Sequence, residues 1–282
     1  MPMQSRKQVL EKWEAALLQG GVDSPRLSAQ VLLSHVLGLP RLEMLIDVAS
    51  PVDESCRIRM DALCARRLRG EPVAYLVGSK EFYGYSFRVG PGVLIPRPET
   101  ELLLDMMTEM FHSDAPLRVL DLGTGSGALA VSCANLFPFA RIVAVDVSRQ
   151  ALAIARSNAL AHGVLGRTAF FQGDLTDAVK TRAFDVVLAN LPYVPLRTRS
   201  SLSREVIDYE PELALFSGPD GLDCYRSLAQ RLAGRMKPGS VLMCEIDGSQ
   251  GDAMVELFSE RAGGVRVCKD YAGHDRLVIV VF

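Results

Sequence analysis

The sequence lacks the features that mark several special classes of protein. No apolar run approaches the roughly 20 residues that a membrane-spanning helix needs, and residues 1–10 contain no apolar core of signal-peptide length. With 31 basic and 33 acidic residues, the net charge is −2. There is therefore no surplus of positive charge to favour a nucleic-acid or membrane partner, and we expect a soluble, cytoplasmic protein.

Cysteine and histidine are present, but not in metal-binding patterns. None of the six cysteines forms a Cys-x-x-Cys pair, and none stands at metal-ligand spacing from one of the four histidines. We expect buried thiols in a reducing compartment and no metal site. Hydrophobic residues make up 49% and charged residues 23% of the 282 residues. These are ordinary values for a folded protein of one large or two modest domains.

Residues 1–75 have the periodicity of a small helical bundle. Ser24 is placed as an N-cap with Pro25 at the first helical position, and Asp53 is placed to cap a later helix. That later helix carries five arginines, for which a solvated face is the favoured interpretation and a docking surface for an acidic protein the alternative. Residues 76–98 combine a hairpin pattern with a proline-rich stretch, and we interpret them as a linker between two domains.

Predicted strands and helices alternate over residues 99–282, as in a doubly wound parallel α/β sheet. The last two strands are separated by too few residues for a helical crossover, so the final strand must pair antiparallel to the rest. A mostly parallel sheet with one late antiparallel strand is typical of Rossmann-like class I methyltransferases. The main strands are predicted over residues 118–120, 141–145, 169–172, 185–189, 241–246 and 277–282.

A glycine loop follows the first of these strands, and the helix that begins at Ala128 directs its N–H groups toward a ligand there. The pattern also satisfies the dinucleotide fingerprint. Asp121 favours S-adenosylmethionine, because a carboxylate repels a pyrophosphate but attracts an ammonium group and a sulfonium. A loop-capping aspartate is the alternative. The cofactor-binding residues predicted here are Asp121, Gly123, Thr124, Gly125, Ser126 and Gly127.

The next two strand ends carry residues that suit the rest of this cofactor. Asp146 lies about 20 residues beyond the glycine loop, where a carboxylate can accept both hydroxyls of a ribose. Asp174 can accept from an adenine amino group, and Leu175 can pack on the ring. A turn residue is the alternative for Asp174 alone, but three successive strand ends with matched chemistry favour a cofactor site.

The segment Asn190-Leu191-Pro192-Tyr193 leaves a buried strand and resembles the Asn-Pro-Pro-Tyr signature of methyltransferases that act on planar nitrogens. An amide or aniline-like nitrogen is a poor nucleophile because its lone pair is delocalised. The Asn190 side-chain oxygen and the carbonyl of Leu191 can accept its two hydrogens and orient it. Pro192 stiffens the turn, and Tyr193 is predicted to form an aromatic wall. Leu191 stands where the signature has proline.

Together with motifs along nearly the whole chain, this segment resembles the peptide chain release factor glutamine N5-methyltransferases. The motifs are residues 23–27, 70–75, 81–84, 94–101, 209–211, 213–215 and 220–223. The resemblance implies a helical domain (1–75) that docks the substrate protein, a hairpin linker (76–98) and a catalytic domain (99–282). It also implies methyl transfer from S-adenosylmethionine, leaving S-adenosylhomocysteine, to the glutamine of Gly-Gly-Gln in class I release factors.

In that family the glycine loop and the positions matching Asp146 and Leu175 hold the cofactor. The positions matching Asn190, Leu191, Pro192 and Tyr193 hold the glutamine, and we expect Asn190 to touch the cofactor as well. We expect a monomer that binds no nucleic acid, membrane or metal. Three alternatives stay open: a nucleic-acid adenine N6-methyltransferase, an NAD-dependent oxidoreductase, and a non-catalytic release-factor binder in which Leu191 disables the site.

Overall fold

The computed structural model describes residues 4–179, 184–232 and 236–282. The chain divides into two compact units. One contains the residues up to Ser79 together with Ser203–Tyr209, and the other contains Lys80–Leu202 and Glu210–Phe282. The sequence predicts a linker over residues 76–98. In this division, most of its hairpin and its whole proline-rich stretch belong to the second unit.

The first unit is built from helices around an apolar core. Its helices are α1 (Arg6–Gln19), α2 (Pro25–Leu37), α3 (Arg41–Ile46), α4 (Glu54–Leu68) and α5 (Val73–Val77), and two short strands, β1 (Gln4–Ser5) and β2 (Pro51–Val52), pair antiparallel. The predicted Asp53 cap is confirmed, since its carboxylate accepts from the Cys56 N–H at 2.8 Å. Ser24 is at the N-cap position of α2 and Pro25 begins the helix, as predicted, but Ser24 has a φ of 51° and its side chain makes no capping hydrogen bond, because such a bond requires an extended backbone.

The arginine-bearing helix α4 is not uniformly solvated. Arg67 is 4% exposed, pairs with Glu205 at 2.7 Å and donates to the carbonyl of Glu71 at 3.0 Å. The prediction of a solvated face is therefore wrong at this position. An isolated buried guanidinium is costly, so the ion pair explains why Arg67 is tolerated inside the unit.

The second unit begins with a hairpin and continues as an α/β sheet. Its strands are β3 (Ser79–Phe82), β4 (Tyr85–Arg88), β5 (Arg118–Leu122), β6 (Arg141–Asp146), β7 (Thr168–Gln172), β8 (Val186–Ala189), β9 (Val241–Glu245), β10 (Gly264–Lys269) and β11 (Asp275–Val281). The other α-helices of the described residues are α6 (Glu101–Met110), α7 (Ala128–Leu136), α8 (Arg149–Ala161), α9 (Arg204–Tyr209, within the first unit), α10 (Asp223–Leu232) and α11 (Gly251–Ser259).

The large sheet has seven strands in the order β10-β11-β9-β8-β5-β6-β7. Strand β11 is antiparallel to both of its neighbours, whereas the pairs from β9 to β7 are parallel. The predicted fold class is thereby confirmed, including the single antiparallel strand at the end of the chain. The strand order reverses between β5 and β8, and ligands of open α/β sheets bind at such a switch point.

Burial explains the composition of the sheet. Strands β8 and β9 are buried at every position, as expected for parallel strands covered on both faces. Four of the six cysteines are buried, Cys224 and Cys268 are half-buried, and all six are free thiols. No helix in the described part of the chain is long and apolar enough to cross a membrane.

Candidate active site

The predicted site residues meet at the carboxyl ends of four neighbouring strands. Leu122 at the end of β5 is level with Val145 on β6 and with Ala189 on β8. A cavity of about 370 Å³ opens at this edge, within the usual size range of small-molecule sites. The predicted residues that line it are Gly123, Thr124, Gly125, Ser126, Asp146, Asp174, Leu175, Asn190, Leu191 and Pro192.

The glycine loop lies directly after β5 and is held by the neighbouring strand. The N–H groups of Gly123 and Thr124 both donate to the carbonyl of Val145, at 2.9 and 3.1 Å. Gly127, at the start of α7, has a φ of +80°, and a Cβ there would lie 3.0 Å from the Cβ of Ala155 on α8. Glycine is therefore required at Gly127 for the loop to pack against α8, although Gly127 itself does not line the cavity.

Asp121 lies beneath the loop rather than in the cavity wall. It is 1% exposed, and its carboxylate accepts from the Thr124 hydroxyl at 2.6 Å. Burial raises the pKa of Asp121 to about 7, and the Thr124 hydrogen bond opposes this rise while the charge of Asp146 adds to it. Burial therefore favours the protonated form of Asp121, and its carboxyl group anchors Thr124, which does line the cavity.

Asp146 presents its carboxylate to the cavity while both of its oxygens are fixed. One oxygen accepts from the Gly125 N–H at 2.9 Å and the other from the Ser148 N–H at 2.8 Å. Burial raises the pKa of Asp146, and these backbone hydrogen bonds oppose that rise. Each oxygen keeps a lone pair for a further donor, so this carboxylate can accept from a ligand at the end of β6.

Asp174 and Leu175 follow β7 and differ in environment. The Asp174 carboxylate is 57% exposed and pairs with Arg231 at 2.7 Å. Leu175 is buried and has a φ of +49°, an uncommon backbone conformation for a branched residue that often accompanies functional sites. Leu175 thus offers an apolar contact to the cavity from a fixed position, whereas Asp174 lies at its solvent side.

The turn after β8 is held from several directions. The Asn190 side-chain N–H donates to the Thr100 hydroxyl at 2.9 Å, which leaves the Asn190 oxygen available. Gln250 donates to the carbonyl of Tyr193 at 3.0 Å, and the Tyr193 hydroxyl donates to Glu245 at 2.9 Å. Tyr193 lies beside the cavity rather than among the residues that line it, so its ring is directed toward Glu245 on β9.

Leu191 is packed where the signature has proline. It is 4% exposed, belongs to the apolar core of the second unit, and its Cδ2 lies 3.2 Å from the position of a Cβ added to Gly123. The hydroxyl of Tyr225 donates to the carbonyl of Ala189 at 3.3 Å and lies near the Leu191 backbone. These contacts stiffen the turn without the proline ring.

The cavity is also lined by two segments for which the sequence patterns predicted no role in the site. The first runs from Gly92 to Arg97, and the second contains Pro211, Leu213 and Ala214. Buried Glu210 joins them, because its carboxylate accepts from the Ile95 N–H at 3.0 Å and from Arg97 at 2.5 Å. The second segment and the part of the first from residue 94 onward lie in motifs of the family resemblance, and those motifs are the sequence signal that could have identified them.

Comparison with known proteins agrees with this geometry. Residues 8–78 match the family model of the PrmC N-terminal domain, and residues 98–211 match that of the methyltransferase small domain. A 16S rRNA N2 methyltransferase of T. thermophilus, solved with AdoMet and guanosine, is 21% identical, with a TM-score of 0.53 over 72% of this chain and 49% of its own. A methyltransferase from Pyrococcus furiosus is 16% identical, with a TM-score of 0.53 over 77% and 96%. The fold and the site define an enzyme of the class I methyltransferases.

Comparison with curated relatives identifies the family within this class of enzymes. The release factor glutamine methyltransferase of Chlorobaculum tepidum is 41% identical over 90% of this chain and 90% of its own. That of Moorella thermoacetica is 38% identical over 96% of both chains. The chain belongs to the family of release factor glutamine methyltransferases, as the sequence motifs predicted. Among the described residues, no group of His, Cys, Asp and Glu could hold a metal ion.

Proposed function

We propose that this enzyme transfers the methyl group of S-adenosylmethionine to the side-chain amide nitrogen of the glutamine in the Gly-Gly-Gln motif of class I release factors. The observation that carries the proposal is the position of the Asn190 turn. It lines the same cavity as the glycine loop and Asp146, so a planar amide held by the turn lies against the place where a nucleoside cofactor would be held.

The residues of the cavity fit the proposed cofactor. The glycine loop offers close backbone approach, Asp146 offers two acceptor oxygens for ribose hydroxyls, and Leu175 offers an apolar surface for the base. S-adenosylmethionine supplies an electrophilic methyl group on a sulfonium. Asp121, beneath the loop, supplies negative charge near the cationic part of the cofactor when its carboxyl group is ionised.

The Asn190 turn can orient the glutamine amide. Because the Asn190 N–H group donates to Thr100, its oxygen is free to accept one hydrogen of the substrate amide, and the Leu191 carbonyl can accept the other. Two acceptors at fixed positions direct the nitrogen toward the methyl group and favour localisation of its lone pair. No general base is needed before the transfer, since the proton can leave the nitrogen afterwards.

Mass spectrometry of an unmodified class I release factor, incubated with the enzyme and S-adenosylmethionine, tests the proposal. We expect one added methyl group on the glutamine of Gly-Gly-Gln. The matched variant Asn190→Ala should bind the cofactor with most of its affinity but transfer no methyl group, because the substrate loses an acceptor. An unmethylated release factor after incubation with the cofactor-bound wild type would overturn the proposal, and unchanged turnover in Asn190→Ala would overturn the role of the turn.

A further inference from the structure

Strand β9 ends in a buried acidic residue that the mechanism above does not use. Glu245 is 1% exposed and follows four buried apolar residues, Val241, Leu242, Met243 and Cys244. Burial raises the pKa of the Glu245 carboxyl group, and the nearby hydroxyl groups of Thr100 and Tyr193 together with the charge of Arg276 oppose this rise. The charge of Glu99 adds to it. A buried carboxyl group is costly unless it has a specific set of partners.

The partners of Glu245 are the residues that hold the substrate turn. The Tyr193 hydroxyl donates to the Glu245 side chain at 2.9 Å. Thr100, which also lies against this carboxyl group, accepts from the Asn190 side chain at 2.9 Å. Glu245 therefore reaches the first and last residues of the turn, one through Thr100 and the other directly.

The backbone of Glu245 belongs to the same network. The buried Tyr225 hydroxyl hydrogen-bonds both the Glu245 carbonyl and the Ala189 carbonyl, so the ends of β9 and β8 are tied together just before the turn begins. In the same region, Arg276 donates to the carbonyl of Ile246 at 3.3 Å and to Asp270 at 3.3 Å. The cation therefore has its own partners. The Glu245 carboxyl group accepts from Tyr193 on Oε1, and its buried Oε2, beside Thr100, has no hydrogen-bond partner among the described residues.

We propose that Glu245 is a positioning residue for methyl transfer, whose carboxyl group fixes Tyr193 and, through its contact with Thr100, the side chain of Asn190. This inference rests on the proposed function, because it assigns Glu245 to the turn that binds the glutamine amide. A neutral group suffices, since it has to orient two hydroxyl groups rather than balance a charge. Without it, the Asn190 oxygen loses its fixed direction toward the substrate.

Kinetics of Glu245→Gln, Glu245→Ala and Tyr193→Phe test the proposal. Glutamine keeps an acceptor for Tyr193 and a polar group for Thr100, so we expect kcat, KM and the pH profile of Glu245→Gln to stay close to the wild-type values. In Glu245→Ala we expect kcat to fall about 10- to 100-fold, as misplaced catalytic geometry does, with little change in the Kd for S-adenosylmethionine. Met243→Leu, in the same buried strand, is the control for altered packing.

A double-mutant cycle separates positioning from general destabilisation. Because Glu245 acts through the Tyr193 hydroxyl, the Glu245→Ala, Tyr193→Phe double variant should lose much less activity than the product of the two single effects. Independent effects would overturn the proposal. Unchanged kcat in Glu245→Ala would do the same, and a Glu245→Gln variant as impaired as Glu245→Ala would show that the charge is required.

A measurement without turnover keeps this inference distinct from the proposed function. The Asn190 side-chain amide resonance, assigned by its loss in Asn190→Ala, should shift in Glu245→Ala and stay in place in Met243→Leu. If the wild type fails to methylate a release factor while this resonance still responds to Glu245, the proposed function fails and the positioning role stands. A resonance that does not respond would overturn the positioning role.

Discussion

Three aspartates stand at or near the ends of neighbouring strands, and their surroundings give them different capacities. Asp121 is buried under Thr124, Asp146 faces the cavity with both oxygens fixed by N–H groups, and Asp174 is exposed beside Arg231. Only the environment distinguishes them, since the side chains are chemically identical. Asp146 is therefore the residue among these three whose loss should affect cofactor binding most.

We expect Asp146→Ala to weaken the binding of S-adenosylmethionine by about 1–3 kcal/mol, the usual contribution of hydrogen bonds to a charged acceptor. This corresponds to roughly a 5- to 150-fold higher Kd, measurable by calorimetric titration. Asp174→Ala is the control and should change the Kd less, because the Asp174 carboxylate is exposed and paired with Arg231. An unchanged Kd in Asp146→Ala would reject its assignment to the cofactor.

We propose that this chain does not need the proline that the signature carries at position 191, because Leu191 is packed in the apolar core. Leu191→Pro removes the Leu191 N–H from the neighbourhood of the Tyr225 hydroxyl and removes a buried side chain. We expect the free energy of unfolding to fall by about 2 kcal/mol without any gain in kcat. Leu191→Met keeps the N–H and the volume and should remain near wild type. A higher kcat in Leu191→Pro would show that Leu191 impairs the site.

At the scale of elements, local sequence patterns predicted the strands and the direction in which they run. The predicted strand over 118–120 extends to Leu122, and the predicted strand over 169–172 begins one residue earlier, at Thr168. These differences lie at element ends, where hydrogen bonds to distant residues decide the last turn or pair. The anchors of the Asn190 turn were not predicted, because they come from other elements.

The turn also depends on a glycine from a different loop. Gly221 has a φ of +84°, and a Cβ there would lie 2.0 Å from the carbonyl oxygen of Tyr193. The same added atom would meet the Gln250 side chain at 2.6 Å. Since the clash includes backbone, an alanine at this position must displace the turn rather than a flexible side chain.

We therefore expect Gly221→Ala to lower kcat by at least about tenfold through displacement of the turn. Gly163→Ala is a matched control, because Gly163 also has a positive φ, +70°, but has open space around the added Cβ. Both variants should lose about 1–2 kcal/mol of stability from the left-handed backbone, and only the first should lose activity. Steady-state kinetics and urea unfolding measure the two effects, and equal kcat values would contradict the argument.

At the scale of the whole molecule, one short segment from late in the sequence belongs to the helical unit formed by the start of the chain. Residues 203–209 belong to the first unit although the segments before and after them belong to the second. Within the first unit, Glu205 of this excursion pairs with buried Arg67, and the Tyr209 hydroxyl donates to the carbonyl of Arg69 at 3.2 Å. The helical unit is therefore completed by seven residues that lie far away in the sequence.

The folding free energy of the protein should depend on pH through its buried acids. For Asp121 the pKa rises from 3.8 in the unfolded chain to about 7 in the folded one. Below pH 3.8 the group is protonated in both states. As the pH rises toward 7, the unfolded state ionises first, so stability falls, and above 7 the loss is complete.

Asp121→Asn should remove this dependence while keeping an acceptor for Thr124. Urea titration at pH 5 and at pH 8 gives the free energy of unfolding of the variant and of the wild type. We expect the difference between them, variant minus wild type, to be about 2–3 kcal/mol larger at pH 8 than at pH 5. Asp252→Asn, which replaces an exposed aspartate, should leave the wild-type pH dependence intact. A gain that is the same at both pH values would contradict the raised pKa.

The sequence by itself determined the order of the elements, the glycine loop and the Asn190 turn. Hydrophobic periodicity and turn chemistry act between residues that are close along the chain, so both can be read directly. The tertiary structure decided which carboxylates reach the cavity and which groups hold the turn. Asn190 meets Thr100 across 90 residues and Tyr193 meets Glu245 across 52, and no local pattern specifies such contacts. These contacts form because the folded sheet brings the ends of particular strands side by side.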